Sequence, residues 1–252
     1  MSETPSSTVP SAPSSGLKET ILTVVYAVII ALVVRTLAYE PFNIPSGSML
    51  PTLLVGDYLF VSKFSYGYST YSLPFGMQLF EGRIFASEPE RGDVAVFKLP
   101  SDNKTDYIKR IIGLPGDKIQ VIKGLLHVNG KAVERRRRDD YIYRGVGGHS
   151  LPIPRFIETL PNGREHDILE ESDEEFKDNT MVYTVPEGNY FAMGDNRDHS
   201  KDSRYLSGVG FIPRKNLVGR AEFLFFSIDG KVWNFWKWPW TIRFNRFFQS
   251  ID

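Results

Sequence analysis

Three short segments hold residue types that can do chemistry together. The first, Pro45-Ser46-Gly47-Ser48-Met49-Leu50-Pro51, sets two serines around a glycine and flanks them with prolines. Proline restricts φ and glycine admits a close backbone, so such a turn can offer a hydroxyl and a backbone N–H to one carbonyl group. The same string also reads as a Ser/Pro linker, although apolar Met49, Leu50 and Leu53 do not suit a solvated one. The second segment is Tyr107-Ile108-Lys109-Arg110-Ile111-Ile112. On a strand, alternate side chains share a face, which places Lys109 with Tyr107 and Ile111, and Arg110 with Ile108 and Ile112. One of the two cations is therefore expected among apolar groups. Burial disfavours the ammonium form and can make a lysine a base near neutral pH. Arginine cannot be deprotonated in this way, so Lys109 is the candidate base. An edge-strand lysine with its head in water is the plainer reading of this segment alone. The third segment, from Gly194-Asp195-Asn196-Arg197 through Asp198-His199-Ser200 to Asp202-Ser203-Arg204, leaves the apolar run Tyr190-Phe191-Ala192. It reads as a hydrogen-bonded loop in which Asp202 can pair with Arg204 and Ser200 can hold another side chain in place. An exposed charged turn is its alternative. No metal site is expected, because His199 stands alone and the carboxylates lack a ligand spacing.

Composition narrows the chemistry. The 252 residues contain no cysteine, which excludes thiol nucleophiles, disulfides and zinc ribbons. Thirty Lys and Arg balance 30 Asp and Glu, so nothing points to a nucleic-acid partner. Any attachment to a membrane must then be hydrophobic.

These segments need elements to position them. Residues 1–16 are rich in Ser, Pro and Thr and read as a disordered tail. Between residues 21 and 34 only Thr23 is not apolar, and the stretch reaches Tyr39 if Arg35 snorkels. That is one membrane crossing, assigned to 17–39. A cleaved secretory leader is the alternative, but Arg35 lies where a leader is normally uncharged. Beyond Glu40 the texture turns to short β-branched and aromatic runs separated by Gly, Pro, Asn and Asp. Strands are expected at 58–63, 94–99, 107–112, 118–122, 125–128, 181–185, 190–193 and 222–228. Residues 130–180 look charged and irregular. Their runs Arg135 to Arg138 and Glu170 to Glu175 read as solvated faces.

In this order and behind an N-terminal anchor, the segments resemble the sequence boxes of the bacterial type I signal peptidases. The likeness spans 42–57, 91–100, 106–118, 194–205 and 210–221. It implies a mainly β fold, an antiparallel-sheet catalytic domain (40–117 and 186–252) with an inserted β-rich subdomain (118–185), preceded by one transmembrane helix. It also implies a serine endopeptidase that needs no cofactor and no metal. In that family pattern Ser48 is the nucleophile and Lys109 its general base. Ser46 and the Ser48 amide form the oxyanion hole, Ser200 orients the lysine, and Asp202 and Arg204 support the loop. Phe42, Ile44, Leu59, Val96 and Ile108 match positions lining shallow apolar substrate pockets, with Pro45, Met49 and Tyr107 beside them. The implied substrates are signal peptides of exported preproteins, cut after small residues in an Ala-x-Ala pattern. The implied place is the bacterial cytoplasmic membrane, with the catalytic domain on its outer, periplasmic face. Departures from the simplest pattern are an extra stretch at 67–89, His199 beside the orienting serine, and a longer link at 206–209. All four tryptophans fall between Val232 and Trp240, a composition suited to a lipid interface or to a packed domain edge. Three other readings are a self-cleaving Ser–Lys regulator, a Ser48–His199 hydrolase and an anchored β-domain scaffold without catalysis.

Overall fold

The computed structural model describes residues 16–72, 82–144, 150–230 and 232–251. The tail expected at 1–16 lies outside these apart from Gly16, as does the middle of the 67–89 stretch.

Helix α1 (Gly16–Leu37) has 22 residues and is apolar around its circumference, with none of them buried. At 1.5 Å per residue it is about 33 Å long, close to the hydrocarbon thickness of a bilayer. It is long and apolar enough to cross a membrane. Its last turn carries Arg35, which does not stand alone: its guanidinium pairs with Glu40 at 2.7 Å, and Lys63 reaches the other oxygen of Glu40 at 2.9 Å.

Fourteen strands follow among the described residues. In the first half these are β1 (Tyr39–Asn43), β2 (Asp57–Ser62), β3 (Val94–Lys98), β4 (Asp106–Gly113), β5 (Lys118–Ile122), β6 (Leu125–Val128) and β7 (Lys131–Ala132). The second half supplies β8 (Glu134–Arg144), β9 (Ser150–Thr159), β10 (Glu165–Leu169), β11 (Tyr183–Thr184), β12 (Asn189–Met193), β13 (Ile212–Pro213) and β14 (Leu217–Ser227). They form a seven-stranded sheet in the order β1-β2-β14-β3-β4-β12-β13, a four-stranded sheet β11-β5-β6-β7 and a three-stranded sheet β10-β9-β8. Every named strand pairing is antiparallel.

The continuous apolar run Val94-Ala95-Val96-Phe97 makes β3 a central strand buried on both faces. Val94 and Val96 join one core cluster with Ile44, Met49, Leu53 and Leu59. Ala95 and Phe97 join another with Ile111, Tyr190 and Ala192. Opposite β3, the register pairs Ala95 with Lys109 and Val94 with Arg110. The seven-stranded sheet thus delivers both cations of β4 to its interior. Both are buried, Lys109 at 3% and Arg110 at 1% exposure, so the expectation of a single buried cation is corrected. Arg110 tolerates this because Asp195 grips it with two bonds, from Nε at 2.9 Å and from Nη2 at 2.8 Å.

Among its described residues up to Leu169 the segment expected to be irregular is in fact regular, while 170–180 carries no strand. Strands β8, β9 and β10 form a three-stranded sheet built around the 134–144 and 150–159 pairing. Cross-strand charge supports it: Arg136 pairs with Glu165 at 3.2 Å and Arg138 with Asp167 at 3.1 Å. The guanidiniums of Arg135 and Arg137 lie over the Phe156 ring at 4.6 and 5.2 Å. An arginine run that looks like a solvated loop is therefore a strand whose charges are met by its neighbours. On the inward side Glu158 of β9 is fully buried against Arg197, with bonds of 2.9 and 2.6 Å. Burial raises the Glu158 pKa, but the Arg197 charge outweighs it and the carboxyl stays below its ordinary value.

Removing one partner of this pair leaves a charge with no compensation in the interior. Arg197→Met is expected to lower unfolding stability by about 3–5 kcal/mol, and the double change with Glu158→Leu to restore most of it. Chemical denaturation of the single and double variants checks this; equal losses in both contradict the pairing argument.

Candidate active site

Ser48 lies in a single 3-10 turn, Gly47–Met49, between β1 and β2. Ser46 precedes it in an extended conformation, and the turn closes with Leu50 N–H donating to the Gly47 carbonyl at 3.2 Å. Amides at the start of such a turn have no partner within it, so the Ser48 N–H is available to an incoming oxygen. Met49 and Leu53 root the turn in the core cluster beneath. From above, Asn196 holds it twice: its backbone N–H donates to the Ser48 carbonyl at 3.2 Å and its side-chain amide to the Gly47 carbonyl at 3.1 Å. The Ser46 and Ser48 hydroxyls are 3.4 Å apart.

Lys109 Nζ donates to Ser48 Oγ at 2.5 Å and to the Ile108 carbonyl at 3.0 Å. Its ammonium also sits 5.7 Å from the centre of the Tyr107 ring. It has no ion pair among the described residues. Burial brings its pKa down from the ordinary 10.5 to about 8, with Asp202 and Asp195 pulling upward and Arg204 downward. The two carboxylates act weakly because arginines already occupy them. Asp195 holds Arg110 and also accepts from Thr52 Oγ1 at 2.6 Å. Asp202 holds Arg204 through bonds of 2.9 and 3.0 Å and accepts the Gly194 N–H at 3.0 Å. Burial raises the Asp202 pKa, the Arg204 charge lowers it more, and the net shift is downward.

Ser200 is buried, and no hydrogen bond joins it to Lys109. Its hydroxyl packs against the Gly194 Cα. A Cβ at position 194 would come within 2.2 Å of the Ser200 hydroxyl and 2.4 Å of the Ser48 carbonyl oxygen. Only glycine lets the loop lie this close to the serine turn. His199 is exposed and pairs with Glu171 at 2.9 Å, turned to a carboxylate rather than to Ser48.

The apolar residues expected to line substrate pockets divide. Ile44, Met49, Leu59 and Val96 are buried in one cluster, with half-buried Phe42 and Ile108 at its margin. Tyr107 packs on the neighbouring cluster, and Pro45 is exposed. A cavity of about 580 Å³ opens on Ser46, Gly47 and Ser48, and its far wall comes from Leu151 and Ile153 of β9 and from His199. Sequence reasoning missed the Asn196 tether, Thr52 and Glu158. Asn196 stood inside the third segment without an assigned role, while Thr52 and Glu158 had no local pattern to mark them.

The description "Signal peptidase, peptidase S26" fits residues 17–226 of the chain. This chain belongs to that family. A signal peptidase I from Rickettsia typhi is 42% identical over 93% of this chain and 94% of its own. One from Rickettsia prowazekii is 43% identical over 90% of each. A crystal structure of a signal peptidase I from Enterococcus faecalis, 30% identical, covers 53% of this chain and 97% of its own with a TM-score of 0.31. Membership of the S26 peptidases makes the chain a membrane-associated serine endopeptidase that removes signal peptides.

A lysine whose folded pKa is depressed binds fewer protons folded than unfolded between about 8 and its ordinary 10.5. Stability therefore rises with pH through that window, and the cost of the buried ammonium is present in full below it. Lys109→Met is expected to unfold at a higher Tm than the parent at pH 7, with the advantage fading as pH approaches 10.5. A Tm difference that does not change with pH contradicts a charged, buried amine as its source.

Proposed function

We propose that the chain cleaves preproteins after an Ala-x-Ala motif with a Ser48–Lys109 dyad. The observation that carries this reading is a dry amine 2.5 Å from a hydroxyl, with its pKa brought near neutrality by burial. In its neutral form Lys109 Nζ takes the Ser48 proton as Oγ attacks the scissile carbonyl carbon. The Ser48 N–H and the Ser46 hydroxyl donate to the oxygen on which charge develops. Lys109 then returns the proton to the leaving amine, and a water repeats the sequence to release the ester. Asp202 and Arg204 support the loop. Gly194 lies against both the Ser200 hydroxyl and the Ser48 carbonyl, so Ser200 helps set the distance from that loop to the serine turn and through it the position of the lysine.

Small side chains before the cut suit the ground around this dyad, since Ile44, Met49, Leu59 and Val96 are packed in the core with half-buried Phe42 and Ile108 at its margin. A shallow apolar recess rejects bulk by overlap and needs no charged anchor. Residues 40–117 and 186–252 form the catalytic domain in this reading, and 118–185 the insert, in keeping with the strands each contributes to the sheets. Helix α1 spans the cytoplasmic membrane once and sets the Ser48 turn near its outer face. Exposed Trp233, Trp236 and Trp240 then contact the lipid interface. A Ser48–His199 hydrolase has less support, because His199 is engaged by Glu171.

With a preprotein bearing Ala-x-Ala, Ser48→Ala and Lys109→Ala are expected to abolish cleavage, while Ser46→Ala lowers kcat by about 10²–10³. A phenylalanine in place of the last alanine should stop processing. In the parent, kcat/KM should climb with pH and level off above an apparent pKa near 8. Substantial activity in Lys109→Ala, or a profile flat across that pH, removes the lysine from the role of base.

A further inference from the structure

Glu170, Asp178 and Asp198 lie apart in sequence, yet each brings a carboxylate oxygen to within 4.8 Å of the others. Glu170 is 3% exposed and Asp178 is fully buried, while Asp198 is half-buried and opens the group to solvent. One oxygen of each aspartate has a structural task. Asp178 Oδ2 accepts the Glu175 N–H at 2.6 Å, and Asp198 Oδ2 accepts the Glu171 N–H at 2.6 Å. The remaining oxygens, Asp178 Oδ1 and Asp198 Oδ1, together with Glu170 Oε2, are buried and have no hydrogen-bond donor among the described residues.

Such an arrangement needs a positive partner. Bringing three carboxylates together in the interior is costly, and each unmatched buried oxygen adds to the cost. Arg197 and Arg204 are the cations Glu170 senses, but Glu158 and Asp202 already occupy them. The donor set is all oxygen, which selects a hard cation. Two ligands of one ion can be no further apart than twice the metal–oxygen distance. That limit is about 4.6–5.2 Å for Ca²⁺ and about 4.2 Å for Mg²⁺, which also prefers to keep several waters. Oxygens within 4.8 Å of one another fall inside the Ca²⁺ limit, and a mostly buried set of side-chain oxygens suits Ca²⁺ better than an ion that keeps several waters.

We propose that Glu170, Asp178 and Asp198 form a Ca²⁺ site. It clamps the 170–178 segment to the loop that carries Ser200 and Asp202. The two strands of chain already touch beside it, where Arg197 N–H donates to the Leu169 carbonyl at 2.9 Å and Leu169 N–H to the Asp195 carbonyl at 2.8 Å. The ion adds a bond between side chains at the outer end of the same seam, and its role is structural rather than catalytic.

The test uses the full-length chain in detergent, stripped with EDTA and titrated with CaCl₂ or MgCl₂ by calorimetry. The expected result is binding of about one Ca²⁺ per chain, with weaker or no Mg²⁺ binding. Ca²⁺ at about a hundred times its Kd should raise Tm by roughly 5–10 °C. The double variant Glu170→Gln with Asp178→Asn removes two charges without removing side-chain volume, so it is expected to fold. It should lose both the calorimetric signal and the Ca²⁺-dependent Tm rise. No Ca²⁺ binding by the parent, Mg²⁺ bound in preference, or an undiminished Ca²⁺ response in the double variant each overturns the site. Cleavage activity is not the readout, so failure here leaves the Ser48–Lys109 reading standing.

Discussion

The structure depends on an inequality between two neighbouring cations on one strand. Arg110 and Lys109 are both taken out of water by β4, but only the arginine receives a carboxylate with matching fork geometry. Arginine keeps its charge under almost any burial, so its carboxylate is a requirement. Lysine has the other option of losing its proton, and its surroundings push it that way. The carboxylates near it, Asp195 and Asp202, are each saturated by a guanidinium. If either arginine were absent, its aspartate would be left to the lysine, and the ammonium would be held charged.

The same accounting explains the concentration of buried ion pairs around a site whose reacting atoms are a hydroxyl and an amine. Arg110–Asp195, Arg204–Asp202 and Arg197–Glu158 surround the serine turn and the loop above it. Buried pairs of this kind add little net stability compared with apolar packing. They do impose geometry. Asp195 takes Arg110 from β4 and Thr52 from just beyond the serine turn, so one carboxylate sets the distance between the two segments. Asn196, the next residue, fixes the turn's backbone. Positioning Ser48 against Lys109 is therefore the work of the loop between β12 and β13 as much as of the strands that carry the two residues.

Much of this was legible in the residues, in proportion to how local the cause is. The apolar helix, the alternating and continuous strand runs, and the Ser-Gly-Ser turn are patterns a few residues long. Seven of the eight expected strands therefore match to within one or two residues; β14 begins at Leu217 rather than at Glu222, and β1 and β13 of the same sheet have no counterpart among the expected strands. The region 134–169 was misread because the usual strand cue, apolar alternation, is replaced there by arginines whose partners Glu165 and Asp167 lie on another strand. The burial of Arg110 was hidden for the same reason, since Asp195 is 85 positions away. Glu170 sits in a run of acids that looks solvated, and only the folded chain brings Asp198 beside it. Linear spacing could not reveal a carboxylate group assembled from two separate loops.

A dry lysine also places stability and activity in opposition at one position. Each unit by which burial lowers the folded pKa adds to the fraction of neutral amine at a given pH and subtracts from the stability of the fold. The compromise at about 8 leaves a minority of the amine neutral at pH 7, while the fold still carries the cost of the charged majority. Deeper burial would give more base and a weaker protein. What offsets the cost is the packing beneath, where Met49, Leu53, Leu59 and Ile111 are fully buried. The apolar clusters on both faces of β3 are thus part of the chemistry: they exclude water from the amine, and their burial supplies the free energy that keeps it there.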